Sequence, residues 1–576
     1  MRFTADFETT TDPEDCRVWA YGICSIDDPD DIFLYGNNLD DFMLFCQDTD
    51  NYTLYFHNLK FDGEFILSWL FNHGYKHIID KEDKAPHTFE TLISDSGLFY
   101  SMTIYFDYQH NGKIVNKVTI YDSLKILPFS VDKIAKGWGI PEQKLEIDYK
   151  EYREVGHELT PEEVAYLKND VVIVAKALKM LFDQNLDRMT QGSNALYHYK
   201  NTVGKTKFEK WFPIPDYDRQ VRKSYRGGFT YLKPEYADMD IGKTIVLDVN
   251  SLYPSVMYFN KMPYGEGVFF NGKYRNDSVY DLYVQKIRCQ FELKKDHIPT
   301  IQLKNNSAFM PNEYLVDSAG EDIVMTLTST DLALFLDHYN VYNPEWLDGW
   351  KFKSTIGLFK DYIDYWIKIK IESTINGNKP MRQLAKLMLN ALYGKFALNP
   401  NVRSKYPYMD EEGVIKYRLG QEEQRNPIYI PVGSFITAWA RNKTIRSAQN
   451  VFDRFIYADT DSLHLLGTEL PNNLEISDTE LGAWAHEDTF DKSRYLRQKT
   501  YIEAKRVEKK GNSGIYDRID GEMYELSVTC AGMPAGCYPY VTWENFHPGE
   551  RYGGKLQQKH VKGGIYFKDI DFTIKR

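Results

Sequence analysis

Two aspartates flank a threonine in the run Tyr457-Ala458-Asp459-Thr460-Asp461-Ser462, with Phe455-Ile456 before it and Leu463-His464-Leu465 after. The pattern reads as strand, tight turn, strand, and alternate residues of a strand project from one face. Two carboxylates crowded at a hairpin tip repel each other unless a cation lies between them. Magnesium, a hard ion that favours oxygen ligands, suits such a tip. Most Asp-x-Asp pairs are solvated turns, so this one acquires meaning only from what accompanies it. An apolar β-branched run ending in an acid, Thr244-Ile245-Val246-Leu247-Asp248, precedes a Ser/Pro turn and predicts a third carboxylate at the end of a buried strand. Taken alone, Asp248 reads as a strand terminator. Between these segments, Gln383 to Phe396 predicts a helix on which Lys386, Asn390 and Tyr393 recur at spacings of four and three and share one face. Leu384, Leu387 and Met388 point to a core, and Gly394 predicts the helix end or a close backbone approach. An ordinary amphipathic helix would explain the polar edge but not the aromatic that interrupts it.

A second set of acids occupies the amino-terminal third. Asp6 and Glu8 fall on one strand face in Phe3-Thr4-Ala5-Asp6-Phe7-Glu8-Thr9-Thr10, and Tyr55 to Gly63 predicts a strand followed by a turn bearing Asp62. Thr160-Pro161-Glu162-Glu163 is a helix start with a capping threonine, a first-turn proline and a glutamate in capping-box position. On that helix Tyr166 and Asp170 stand at i and i+4, on one face. Two divalent ions roughly 3.5–4 Å apart need several anionic ligands, and can activate water while stabilising a leaving oxygen. Tyr166 could position that water. The plainer alternative is a solvated acidic face, against which the Tyr-x-x-x-Asp spacing within a capped helix argues.

Asp248-x-x-Ser251-Leu252-Tyr253-Pro254, Lys386-x-x-x-Asn390-x-x-Tyr393-Gly394 and Tyr457-x-Asp459-Thr460-Asp461-Ser462, in that order, resemble the three polymerase motifs of family B DNA polymerases. Tyr225-Arg226-Gly227-Gly228, Thr437-Ala438-Trp439-Ala440-Arg441 and Lys499-Thr500-Tyr501 narrow the resemblance to the protein-primed phage members of that family. The likeness runs nearly end to end. It implies that Asp248 and Asp461, with the Val249 carbonyl, hold two magnesium ions (manganese able to substitute) while Asp459 supports the site from its edge. It implies that Lys370, Arg382 and Lys386 bind the triphosphate, with Asn390 beside them. Tyr253 lies under the sugar and excludes a 2′-hydroxyl, and Tyr393 stacks near the incoming deoxynucleotide. Arg382 stands where lysine is expected, which keeps the charge but changes the donor geometry. Ala391 stands beside Asn390 where serine is frequent. Thr437, Arg441, Lys499 and Tyr501 grip the primer strand, and Tyr225, Gly227 and Gly228 meet the template, paired glycines allowing close backbone approach.

By the same resemblance Asp6, Glu8, Asp62 and Asp170 form a proofreading 3′–5′ exonuclease site with its own two magnesium ions. Tyr166 is its water-positioning group and Lys144 contacts the scissile phosphate. Thr9, His57, Asn58, Phe61, Ser123 and Leu124 hold the frayed 3′ end, where stacking on aromatic rings needs no base preference. The implied architecture is multidomain, α/β and α+β: a ribonuclease-H-like exonuclease domain over 1–188, then a right-hand polymerase. Its palm covers 189–260 and 427–529, its fingers 358–396 and its thumb 530–576. Insertions at 261–357 and 397–426 are implied to dock the terminal protein that primes synthesis and to encircle DNA for processive strand displacement.

The chain has 576 residues, too many for one core, and is 43% hydrophobic and 15% aromatic, a composition that excludes a disordered scaffold. Its net charge of −12 looks wrong for a nucleic-acid enzyme until it is mapped. Residues 1–60 carry 13 acids against 3 bases, whereas residues 351–406 carry 11 bases against 3 acids, so local basic surface remains for phosphates. Cys16, Cys24, Cys46, Cys289, Cys530 and Cys537 form no C-x-x-C pair and read as reduced thiols. No signal peptide or bilayer-spanning apolar stretch is evident, so the host bacterial cytoplasm is expected and a membrane partner is not. Primer–template DNA, deoxynucleotides, the terminal protein and phage single- and double-stranded DNA-binding proteins are the expected partners. Three rivals are a nuclease whose other half merely clamps DNA, a non-catalytic terminal-protein partner, and an RNA-synthesising enzyme. The intact acids oppose the first two and Tyr253 opposes the third.

Overall fold

A computed structural model describes residues 1–47, 51–108, 115–302, 314–511 and 514–575. Part of the expected first insertion, 303–313, lies outside them.

The amino-terminal region is built on an eight-stranded sheet ordered Phe33–Gly36, Val18–Ser25, Arg2–Thr9, Thr53–Phe56, Val115–Asp122, Phe99–Tyr108, Thr88–Ile93, Lys76–His77. Arg2–Thr9 sits inside it, antiparallel to Val18–Ser25 and parallel to Thr53–Phe56. Two helices cover the sheet and bring acids to its edge. Leu59–Asn72 buries Leu59, Phe65, Ile66, Leu67 and Leu70 and carries Asp62 in its first turn. Pro161–Phe182 starts as expected: the Glu163 N–H donates to Thr160 Oγ1 at 3.2 Å and the Thr160 N–H to Glu163 Oε2 at 3.0 Å.

A second sheet, antiparallel and five-stranded, is ordered Trp484–Phe490, Thr244–Val249, Ser462–Leu466, Phe455–Asp459, Thr230–Leu232. Helices Leu252–Phe259 and Ile430–Asn450 pack beside it. Its apolar residues share one continuous core with one side of helix Pro161–Phe182, from Cys24 and Val171 through Leu247 to Trp484. Helices Lys360–Ile375 and Lys379–Ala391 pack together as a pair, the second capped by the Asn378 side chain. The described residues of 261–357 form a four-stranded sheet with helix Ser329–His338, and 397–426 form one hairpin, Asn401–Met409 with Ile415–Gln424. A last hairpin pairs Arg551–Val561 with Gly564–Thr573.

Two expectations need correction. The border at 529/530 runs through strand Glu522–Cys530, and residues from Leu496 to Ile574 share one hydrophobic core, so no break exists there. Gly394 neither ends the basic helix nor meets a close neighbour. The helix stops at Ala391, and Tyr393–Phe396 forms a separate short turn with open space over Gly394. All six cysteines are buried and none is in a disulfide, and no helix among the described residues is long and apolar enough to cross a membrane.

Candidate active sites

The hairpin of Phe455–Asp459 and Ser462–Leu466 turns on Thr460, whose φ of +60° is unfavourable for a β-branched residue. The surroundings hold it there. Its N–H donates to the Phe229 carbonyl at 2.6 Å, and its carbonyl accepts from the Thr444 hydroxyl at 2.6 Å. Gly228 packs so closely that a Cβ would stand 2.5 Å from Thr460 Oγ1. Within the protein, the close approach that this glycine permits is to the hairpin; a Cβ on Gly227 would meet nothing within 4 Å.

Register then brings the acids together. Asp248 lies opposite Ser462, and the Val249 N–H donates to the Asp461 carbonyl at 2.8 Å. Burial pushes the Asp248 carboxyl up to about 7, helped by the charges of Asp461 and Glu487. Burial likewise raises Asp461, with Asp459 and Glu487 adding to it. Glu487 has no motif to announce it. It is the extra residue of a β-bulge, between His486 opposite Leu247 and Asp488 opposite Val246. Asp459 is already partnered, accepting from the Thr230 hydroxyl and from Lys499 Nζ, each at 3.0 Å.

Above the acids Tyr253 and Tyr393 stack, ring centroids 3.8 Å apart and planes at 12°. Lys370 is held below its ordinary pKa by burial and then by the charges of Lys386 and Arg382; burial and Arg382 do the same to Lys386. Cations crowded without an anion among them make a site for a polyphosphate. Asn390 is exposed on the same helix.

Several expected DNA-contacting residues face inward. Thr437 is buried, its hydroxyl bonded to the Gly433 and Ser434 carbonyls. Arg441 is buried too, with a bidentate pair to Asp331 (2.7 and 3.1 Å) and donation to the Arg226 and Gly227 carbonyls at 2.6 and 2.7 Å. Its guanidinium orders the 225–228 loop, where Tyr225 is half-buried. Tyr501 packs against Tyr457, His464 and Tyr495, while Lys499 projects from the same stretch towards Asp459.

At the other site Asp6, Glu8, Lys144, Tyr166 and Asp170 line a cavity of about 830 Å³, together with Thr9, His57 and Phe61. Burial raises all four acids: Asp6 to about 7, with Asp170 adding repulsion, and Glu8 and Asp62 further driven by Asp6. Lys144 forms an ion pair with Asp170, which holds its ammonium above the usual range against the pull of burial. Its Nζ also donates to the Tyr166 hydroxyl at 3.1 Å, and Tyr149 meets that hydroxyl at 2.6 Å. Asp62 Oδ1 and Asp170 Oδ1 are buried without a hydrogen-bond partner. Orphaned oxygens among repelling carboxylates fit a hard divalent cation. Among the described residues no group of three or more His, Cys, Asp or Glu side chains is arranged to hold a metal ion.

Asp122 is a positioning group that the motifs did not reveal. Fully buried, it accepts at one oxygen from the Asn58 N–H (3.0 Å) and the Leu124 N–H (2.9 Å), joining two segments of the cavity rim. Ser123, expected at the 3′ end, is fully buried, with its Oγ 3.0 Å from both the Phe56 carbonyl and His57 Nδ1. It orients His57 and does not itself face the cavity. His57 Nε2 lies 2.7 Å from the Phe129 carbonyl, and burial holds the imidazole below its ordinary pKa.

The chain matches the family model "DNA polymerase type B, organellar and viral" over residues 45–480. It is 48% identical over 580 residues to the DNA polymerase of Bacillus phage phi29, covering 100% of this chain and 99% of that one. It is 33% identical over 599 residues to the DNA polymerase of Streptococcus phage Cp-1, covering 100% and 98%. The solved phi29 DNA polymerase in complex with primer–template DNA and incoming nucleotide superimposes over 100% of both chains, with a TM-score of 0.91 and 47% identity. With a family model spanning most of its length and relatives this similar from end to end, the chain belongs to the type B DNA polymerases of organelles and viruses, among the phage DNA polymerases of the phi29 type.

Proposed function

We propose that this DNA-directed DNA polymerase is a protein-primed replicase that displaces strands as it copies and proofreads with a 3′–5′ exonuclease in the same chain. The observation that carries this reading is the pair of separate carboxylate clusters, one on each sheet, each with its own lysine and tyrosine neighbours. Asp248, Asp461 and the Val249 carbonyl would hold magnesium at the synthesis site, and Asp6, Glu8, Asp62 and Asp170 at the nuclease site. Two such ions per site, with manganese as a substitute, supply activation of an oxygen nucleophile and neutralisation of the leaving phosphate.

At the synthesis site Lys370, Lys386 and Arg382 bind the triphosphate, with Asn390 at their side. The Tyr253–Tyr393 stack floors the sugar, leaving no room for a 2′-hydroxyl. Asp459, held by Thr230 and Lys499, steadies the hairpin tip beneath the primer end. At the nuclease site the Tyr166 hydroxyl, fixed by Tyr149 and Lys144, orients the attacking water, and Lys144 neutralises the scissile phosphate. Thr9, His57, Asn58, Phe61 and Leu124 receive the single-stranded end, with Ser123 behind them.

The phi29 enzyme has been solved with primer–template DNA and nucleotides, which supports the same substrates here. The region 1–188 reads as ribonuclease-H-like, and the rest as palm, fingers and thumb. The 261–357 insertion docks a phage terminal protein and the 397–426 hairpin encircles DNA, with phage single- and double-stranded DNA-binding proteins as further partners in the host cytoplasm.

The decisive test incubates purified protein with magnesium and a labelled primer–template, with and without dNTPs. Asp461→Ala should abolish extension and spare primer shortening; Asp62→Ala should do the reverse. A wild type that shortens the primer but never extends it would overturn the synthesis assignment. Failure of Asp62→Ala to stop shortening would overturn the nuclease assignment.

A further inference from the structure

Two hairpins far apart in sequence meet on one nuclease helix. The tip of the 401–424 hairpin sends Ile415, and the tip of the carboxy-terminal hairpin sends Ile565, into the core built on Phe65 and Ile66 of helix Leu59–Asn72. Both isoleucines are fully buried. Gly564 allows the closeness, because a Cβ there would stand 2.4 Å from the Phe65 ring. The tips also touch each other through a bridge between Val414 and Lys562.

In the middle of this apolar contact sits Glu64, only 3% exposed. A buried carboxylate costs several kcal/mol unless each oxygen finds a partner, so its presence among isoleucine and phenylalanine needs a reason. Its oxygens face different hairpins. Oε1 accepts from the Tyr417 hydroxyl at 2.6 Å, while Oε2, which accepts no hydrogen bond, lies 3.5 Å from His560 Nδ1. Tyr417 and His560 also touch edge to face, centroids 6.0 Å apart. Burial and the Glu64 charge raise the Tyr417 pKa, so that hydroxyl keeps its proton and donates.

We propose that Glu64 is a positioning residue that latches the middle hairpin to the nuclease helix through the Tyr417 hydroxyl and places His560 of the carboxy-terminal hairpin beside its other oxygen, so that the two hairpins form a closed protein ring. Apolar packing alone would hold the tips without specifying how far each slides along the helix. A carboxylate hydrogen-bonded to one hairpin and facing a histidine of the other sets the first position and orients the second against it. The functional consequence rests on the reading of the 397–426 hairpin as the element that encircles DNA. A ring that opens more often lets the template escape sooner, so product length per binding event falls while the chemistry of each addition is untouched.

The test compares the full-length wild type with Tyr417→Phe, Glu64→Ala and Glu64→Gln. Hydrogen exchange reports the latch directly. Glu64→Ala should raise exchange at 414–418 and 559–566 by about tenfold, the factor carried by removing a partner from a buried polar group. Tyr417→Phe should do so mainly at 414–418. Glu64→Gln still offers an acceptor to Tyr417 and should recover protection there. On a primed single-stranded circle with a DNA trap, Glu64→Ala should shorten products several-fold, with single-nucleotide addition unchanged. Wild-type exchange at both tips in Glu64→Ala would overturn the latch. Faster tip exchange with a wild type that is already distributive would keep the latch and overturn the ring's role.

Discussion

The two acid clusters use the same side chains in opposite settings. At the proposed nuclease site Glu8, Asp62 and Asp170 are 7%, 3% and 5% exposed, Glu8 and Asp170 line the cavity, and Lys144 pairs with Asp170 there. At the synthesis site Asp248, Asp459 and Asp461 are half-buried at the tip of an open sheet. Lys499 there is 56% exposed and pairs with Asp459. The acids of the proposed nuclease site come from a strand and two helices packed in two separate cores, whereas the synthesis acids come from adjacent strands of one sheet. The difference suits the cargo. On the proposed function, a nuclease that takes one frayed strand can surround it, and low dielectric then strengthens every charge interaction inside. A polymerase must admit a duplex and a triphosphate and release pyrophosphate at each step. It keeps its acids open, and on the proposed function side chains such as the Tyr253–Tyr393 stack control entry.

The comparison is most directly broken at the two lysines. Lys144→Met should slow primer shortening by about 10²-fold, the scale of losing a preorganised charge in a dry site. Lys499→Met should slow extension by no more than about fivefold, because an exposed pair is worth at most about 1 kcal/mol and Thr230 still holds Asp459. Single-turnover rates measure both, and equal losses would erase the contrast. A smaller effect is expected for selectivity. Tyr253→Val should admit ribonucleotides about 10- to 100-fold better, the range of a steric pocket contact, with primer shortening unchanged. Unaltered discrimination would remove the steric role.

The smallest effect is one of stability without metal. Asp6 and Asp248 sit at about 7 in the folded protein against about 4 in an unfolded chain, and the other acids are raised as well. Between those values these acids bind more protons in the folded state than in the unfolded one, so their contribution to stability falls as pH rises from about 4 to about 7. In chelator, Asp62→Asn should therefore melt a few degrees above wild type at neutral pH and coincide with it near pH 4. Asp248→Asn, at the better solvated site, should gain less. Calorimetry checks the order, and magnesium should reverse it.

Much of this was readable because it depends on short-range geometry. The capping box at Thr160, the shared face of Tyr166 and Asp170, and the strand–turn–strand around Asp459 and Asp461 follow from periods of 3.6 and 2. The grouping of distant acids into two sites came from motif order and family resemblance, since nothing local relates Asp6 to Asp170. Other features stayed hidden for physical reasons. Glu487 enters through a bulge, which no periodicity announces. Arg441 and Ser123 carry types expected on a DNA-facing surface, yet packing turned them inward to order the loop and the histidine that face it. The 529/530 border failed because one core formed across it.

By itself the sequence determined which residues share a face, where helices begin and which acids are paired along a strand, because each is decided within about one or two turns of chain. Only the tertiary structure decided which acid lies open and which enclosed, which arginine points inward, and that one buried glutamate receives a tyrosine and a histidine from two remote hairpins. Those outcomes depend on how separately formed elements exclude water from one another, and that is a property of their packing that no local window of residues contains.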